Sequence, residues 1–135
     1  MSLFNFRSSP QSSVPTPEVT KDLFLEEMSA VLKMSDVALE VRGKELMDHI
    51  SGNLKMMQGT IQGTRGDIYT RKDLAYATLD FLDGKEVMIS STNFNLRESV
   101  RLLAAVKKAY YIRNKGAAWD ALSSSFRIAM IHIHK

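Results

Sequence analysis

The residues with the strongest claim to chemistry in this chain are cations. Arg97, Arg101, Lys108 and Lys115 recur at intervals of four, seven and seven residues. On a helix that spacing forms one stripe, opposite the apolar side chains. Lys107 and Arg113 flank the stripe, and Tyr110 and Tyr111 are interleaved with it. Long cationic side chains on one rigid face are what contacts to phosphates require. The local charge balance points the same way. Residues 1–93 carry ten basic and thirteen acidic side chains, whereas residues 94–135 carry eight and two, within a net charge of +3. A basic last third on a mildly acidic body fits a polyanion or an acidic protein surface, and it equally fits a solvated lysine and arginine face.

Other chemistry is weaker. Carboxylates pair at Glu26–Glu27, at Glu45 with Asp48, and at Asp80 with Asp83. Acid–base catalysis would need one member of a pair buried with a raised pKa. These pairs sit among basic residues on helix faces that read as exposed, so their expected role is solubility. His132 and His134 alternate and would share one face if extended, with His49 as a third candidate ligand. Without cysteine and without a helical His-x-x-x-His pair, no metal site is expected. Arg65-Gly66-Asp67 spells the integrin-binding tripeptide. Three-residue matches are common, and the glycines nearby already explain a turn. Ser123-Ser124-Ser125 lacks the Gly-x-Ser-x-Gly frame of a nucleophile elbow. No glycine pattern resembles a phosphate-binding or dinucleotide loop. Neither catalysis nor a cofactor is therefore expected.

A chain of 135 residues is one domain and buries enough surface to fold without disulfides or metals. It has no cysteine, which excludes disulfide frameworks and thiol nucleophiles. No apolar run has the length of a membrane span. Asn5, Arg7, Ser8 and Ser9 interrupt the start before a secretory signal could form, so a cytoplasmic or otherwise intracellular location is expected. All three prolines, Pro10, Pro15 and Pro17, fall in the first 18 residues, among serines. Residues 1–18 thus read as a flexible Ser/Pro-rich arm, with Phe4 and Phe6 near its tip able to dock on another subunit. Residues 19–135 read as a single helical domain.

The elements that must position these residues are helices. Thr20 is expected to cap the first, at 21–34, with Val19 and Phe24 placed for a hydrophobic staple. Ser35 either caps a second helix or lies inside one long one. Leu39, Gly43, Leu46, Ile50, Leu54, Met57 and Ile61 follow at heptad spacing, the pattern of a bundle core or of a coiled-coil seam between subunits. Gly59, Gly63 and Gly66 should end that helix in a loop. Thr70 with Asp73 predicts a capping box and a helix to Gly84. Residues 86–91 are the best candidate for a short strand. Asn95 with Glu98 predicts another box and a helix over 96–114, stopped by Gly116. Trp119, Leu122 and Phe126 then recur at helical spacing, with Trp119 expected in the core. The arrangement of helices 71–83 and 96–114 resembles a helix-turn-helix, but a connector of about a dozen residues exceeds the usual three or four.

The expected fold is all-α: a bundle of four or five helices with a flexible N-terminal arm and at most one short extended segment. The leading functional expectation is a non-enzymatic protein–protein interaction or assembly subunit: an adaptor, a secretion-associated factor or a component of a homo-oligomer. Phe4, Phe6, Leu39, Gly43, Leu46, Ile50, Leu54 and Met57 are its candidate contacts, and eight methionines add adaptable apolar surface. The alternative is a nucleic-acid-binding protein that uses the basic helix 96–115, through Arg97, Arg101, Lys107, Lys108, Arg113 and Lys115.

Overall fold

Beyond Pro17 no proline interrupts the chain, and the described residues are mostly helical. In the computed structural model the described residues are 17–63, 66–87 and 94–133, with side chains described from residue 25 in the first helix and from residue 96 in the fourth. The helices are α1 (Pro17–Lys33), α2 (Asp36–Met56), α3 (Arg71–Leu82), α4 (Phe94–Ile112) and α5 (Gly116–Ile131). The fold is the expected all-α bundle.

Local chemistry sets most boundaries. Pro17 opens α1, three residues ahead of the expected Thr20 cap, because a residue with fixed φ and no N–H suits the first helical position. Ser35 separates α1 from α2: its Oγ accepts the Ala38 N–H at 3.2 Å. Thr70 and Asp73 form the expected reciprocal box at the start of α3, at 3.1 and 2.8 Å. Gly84, at φ 86°, ends α3 as expected, and Lys85 N–H returns to the Asp80 carbonyl at 2.9 Å. α4 begins at Phe94, so Asn95 lies inside its first turn and the capping position falls outside the described residues.

The stop of α4 differs from the expected Gly116. Asn114 takes the left-handed conformation at φ 59°, and Lys115 N–H bonds the Tyr110 carbonyl at 2.8 Å. Asparagine tolerates that backbone region well enough to end a helix. Gly116 instead opens α5, where a Cβ would come within 2.8 Å of the Tyr111 ring. The extended structure also lies elsewhere. β1 (Ile61–Gln62) and β2 (Ile68–Tyr69) pair antiparallel in the glycine loop, with Ile61 opposite Tyr69. Gly66, at φ 86°, makes the turn feasible. Of the strand expected at 86–91, Glu86 and Val87 have no regular structure and the rest lies outside the described residues.

The helices pack around α4. α1, α2, α3 and α5 all contact it, and α2, α3 and α5 also contact one another. Asp36, at the start of α2, meets Arg113 beyond the end of α4, while Gly43 meets Val106. α2 therefore runs antiparallel to α4. Gly43 is a site of close approach: a Cβ there would lie 3.0 Å from Leu122 Cδ2 of α5 and 3.4 Å from Val106 Cγ1 of α4. Leu39, Gly43, Leu46, Ile50 and Leu54 are buried inside the chain's own core. This corrects their assignment as intermolecular contacts, because α4 and α5 already cover that face. Met57 is half-buried at the end of α2 and packs against the same core. Trp119 is buried, its ring 6.1 Å from that of Tyr110. The buried hydroxyls of Thr78 and Ser123 donate to carbonyls four residues back, of Leu74 at 2.8 Å and Trp119 at 2.9 Å.

The Thr70–Asp73 box fixes the entry of α3, so Thr70→Ala is expected to cost about 1 kcal/mol of unfolding free energy in denaturant titration. Thr70→Ser should recover most of it, because the cap needs only the hydroxyl.

Candidate functional site

Between Leu96 and Tyr110 of α4, Lys108 is the one exposed position. The reason is packing: α4 is enclosed by four helices. Leu96, Val100, Leu103, Val106 and Tyr110 are buried, and so are Leu102, Ala105 and Ala109 on a second side. The expected cation stripe is consequently not one open face.

Each cation has its own surroundings. Arg97 and Arg101 are half-buried near the first turns of α4, beside Glu98, with Glu27 of α1 close enough to add its charge. Burial pulls the Arg97 guanidinium below its usual range, and the like charge of Arg101 adds to this. Burial pushes the Glu98 carboxyl up, against the pull of Arg97. Glu98 Oε1 has no hydrogen-bond partner among the described residues. Lys107 donates to the Leu82 carbonyl at the end of α3, and its Nζ lies 5.7 Å from the centroid of the Tyr111 ring. Arg113 donates to Asp36 Oδ1 at 2.9 Å and to the Met34 carbonyl at 2.6 Å, just past α1. Lys115 donates to the other oxygen of Asp36. The hydrogen bond from Lys115, then that from Arg113, hold the Asp36 carboxyl below its usual range.

Three of the six candidate cations are thus bound to helix ends within the chain. Sequence reasoning missed a fourth clamp of the same kind. Arg71 donates to the Met57 carbonyl, at the end of α2. The last carbonyls of a helix lack intrahelical partners, and a cation there also meets the negative end of the helix dipole. The basic pair Arg71-Lys72 at the start of the next helix was the only signal for it.

The remaining candidates fall on the surface or outside the described residues. Glu27 and Glu45 both pair with Arg42, Asp80 with Lys85 at 3.7 Å, and Asp83 with Arg127 at 2.9 Å. The hydrogen bond from Arg127 holds Asp83 below the usual carboxylate range, the opposite of what a general acid needs. His49 is exposed and bonded to Asn53 at 3.1 Å, His132 is exposed, and His134 lies outside the described residues. Among the described residues, no three His, Asp or Glu side chains are placed to hold a metal ion. In the Arg-Gly-Asp tripeptide, Arg65 lies outside the described residues and Asp67 accepts the Tyr69 hydroxyl at 3.2 Å. Phe4 and Phe6 also lie outside them. No helix among the described residues is long and apolar enough to cross a membrane.

Fold and site together define an all-α bundle, with five helices among the described residues and cations of α4 and the turn after it bonded to neighbouring helix ends. No family model matches the chain, and neither a curated protein nor a solved structure resembles it closely enough to count as a match.

Two outcomes follow. Arg113→Ala should lower stability measurably in denaturant titration, because it removes the donor to the Met34 carbonyl and one of the two cations on Asp36. Arg113→Lys should recover only part, since an ammonium cannot reproduce the fork of the guanidinium. The pH profile of unfolding should have two limbs. Glu98 has a raised folded pKa, so the folded state gains stability as pH falls from neutral and this carboxyl protonates. Asp36 and Asp83 have lowered folded pKa values, so the stability they add is present above their ordinary value of 3.8 and is lost as pH falls through the lower folded values. Glu98→Gln should abolish the first limb and keep the second, as read from thermal unfolding at stepped pH.

Proposed function

We propose that this chain is a non-enzymatic protein-interaction or assembly subunit: an adaptor, a secretion-associated factor or a component of a homo-oligomer. One observation carries the reading: large apolar side chains stand open at one end of the bundle. Val37 in the first turn of α2 is 74% exposed, and Ile112 at the end of α4 is 68% exposed. Leu32, Val41 and Tyr111 are exposed as well. Arg113 brings Leu32, Val37 and Ile112 to the same end, because it bonds Asp36, next to Val37, and the Met34 carbonyl, two residues past Leu32. Ile112 is its own neighbour. Apolar surface gathered in one place, rimmed by Lys33 and Lys115, marks a contact with another protein more often than with solvent. Phe4 and Phe6 remain a second proposed contact.

The alternative, nucleic-acid binding through residues 96–115, has less to draw on. Lys107, Arg113 and Lys115 are engaged inside the chain, and Arg97 and Arg101 are half-buried. Lys108 is the open cation that supports it.

A double variant, Val37→Asp with Ile112→Glu, changes only exposed side chains and should fold normally. Tagged wild-type protein should capture a defined protein from native extract that the variant loses. If capture survives in the variant, or if the wild type binds nucleic acid in a salt-dependent way that Arg97→Ala with Arg101→Ala abolishes, the end patch is not the functional surface.

A further inference from the structure

α5 is apolar on the wrong side as well as the right one. Its inner face, with Trp119, Phe126 and Met130, is buried. Its outer face carries Ala117, Ala121, Ser124, Ile128 and Ile131, at intervals of four, three, four and three. Ile128 is 60% exposed and Ile131 40%. From Gly116 to Ile131 the helix has two charged residues, Asp120 and Arg127. A surface helix ordinarily turns charged and polar residues outward, and here the exposed face keeps two isoleucines and two alanines with Ser124 as its polar member.

The pattern on this face is complementary to itself. Asp120 and Arg127 are seven residues apart, so they lie on the same margin of the face, two turns from each other. A two-fold axis crossing α5 midway between Ser123 and Ser124 would set Asp120 of one copy against Arg127 of the other, and the reverse. Two opposite-charge pairs result from one pair of residues, as an isologous contact requires. The same axis matches size. The first half of the face is small (Ala117, Ala121) and the second half large (Ile128, Ile131). Antiparallel pairing lays each Ile128 between Ala117 and Ala121 of the other copy, and brings the two Ser124 side chains together at the axis. A parallel pair would instead stack isoleucine on isoleucine and set neither Asp120 against Arg127 of the other copy. Arg127 already donates to Asp83 at 2.9 Å, through one nitrogen of a fork with five N–H donors. Donors therefore remain for Asp120 of the second copy.

We propose that the outer face of α5 is a dimer interface, on which a second copy of this chain seats its own α5 antiparallel about Ser124. The proposal names one partner within the assembly reading. It uses a different surface from the end patch of Leu32, Val37 and Ile112, so either can fail alone.

The absence of cysteine makes the test clean. The 135-residue chain is studied by sedimentation velocity from micromolar to submillimolar concentration. A monomer–dimer equilibrium is expected, and Ile128→Glu should weaken it roughly tenfold or more, as loss of a central apolar anchor does. Under mild oxidation Ser124→Cys should form a disulfide dimer quickly. Ala117→Cys should not, because the antiparallel register holds its two copies about 20 Å apart. Adding Ile128→Glu to Ser124→Cys should slow the cross-link by a similar factor. A monomer at every concentration, equal cross-linking at both positions, or a dimer indifferent to Ile128→Glu would overturn the proposal. A dimer broken by Val37→Asp with Ile112→Glu and not by Ile128→Glu would move the second copy to the end patch and end the claim for α5.

Discussion

The burial of α4 is the constraint from which most of this structure follows. A helix that four others contact cannot keep its cations on an open face. Long cationic side chains can keep the stem against apolar surface and carry the charge to the periphery. What they find there are the ends of neighbouring helices. Lys107 reaches the end of α3, and Arg113, just past α4, reaches the carbonyl beyond α1 and the first residue of α2. Arg71 does the same for the end of α2. Three helix C-termini are thereby satisfied by cations from elsewhere in the chain, so the charges are part of how the bundle closes.

Glu98 shows the cost of the same burial. Its carboxyl enters the bundle near Arg97 and Arg101 but leaves one oxygen unbonded among the described residues. An ionised group short of hydrogen bonds in a partly buried place favours its neutral form. Asp36 and Asp83 have the opposite environment, each bonded by a cation at the surface. The same residue class thus pulls stability in two directions with pH, and the surroundings decide which.

Much of the fold was legible in the sequence because it is written in local chemistry. Ser35, Thr70 with Asp73, and Gly84 each mark a boundary by a bond within a few residues. The stripe from Leu39 to Leu54 marks a core face by its period. What was not legible depends on tertiary packing. Leu102, Ala105 and Ala109 form a second buried side of α4, but alanine is neutral in a reading of hydrophobic period, so the helix looked one-faced and its cations looked free. Asn114 ends α4 where Gly116 was expected: both residues suit a helix end, and the left-handed backbone falls at Asn114. The β1–β2 pair is two residues a side, too short to leave any alternation to read. The functional candidates divide in the same way. Which of those side chains face outward was a property of the whole bundle. The apolar residues at the open end and on α5 are single positions within otherwise ordinary amphipathic patterns.

The central claim is that α4 is the interior support of the bundle and not a surface helix. Native-state hydrogen exchange tests it most directly, because amides buried in the most stable unit exchange only when the whole domain unfolds. The amides from Val100 to Ala109 should be the slowest in the chain, with an opening free energy equal to that of global unfolding. If they exchange as fast as the outward-facing amides of α1 or α5, through an opening smaller than global unfolding, α4 is peripheral and the account of its cations as helix-end clamps fails with it.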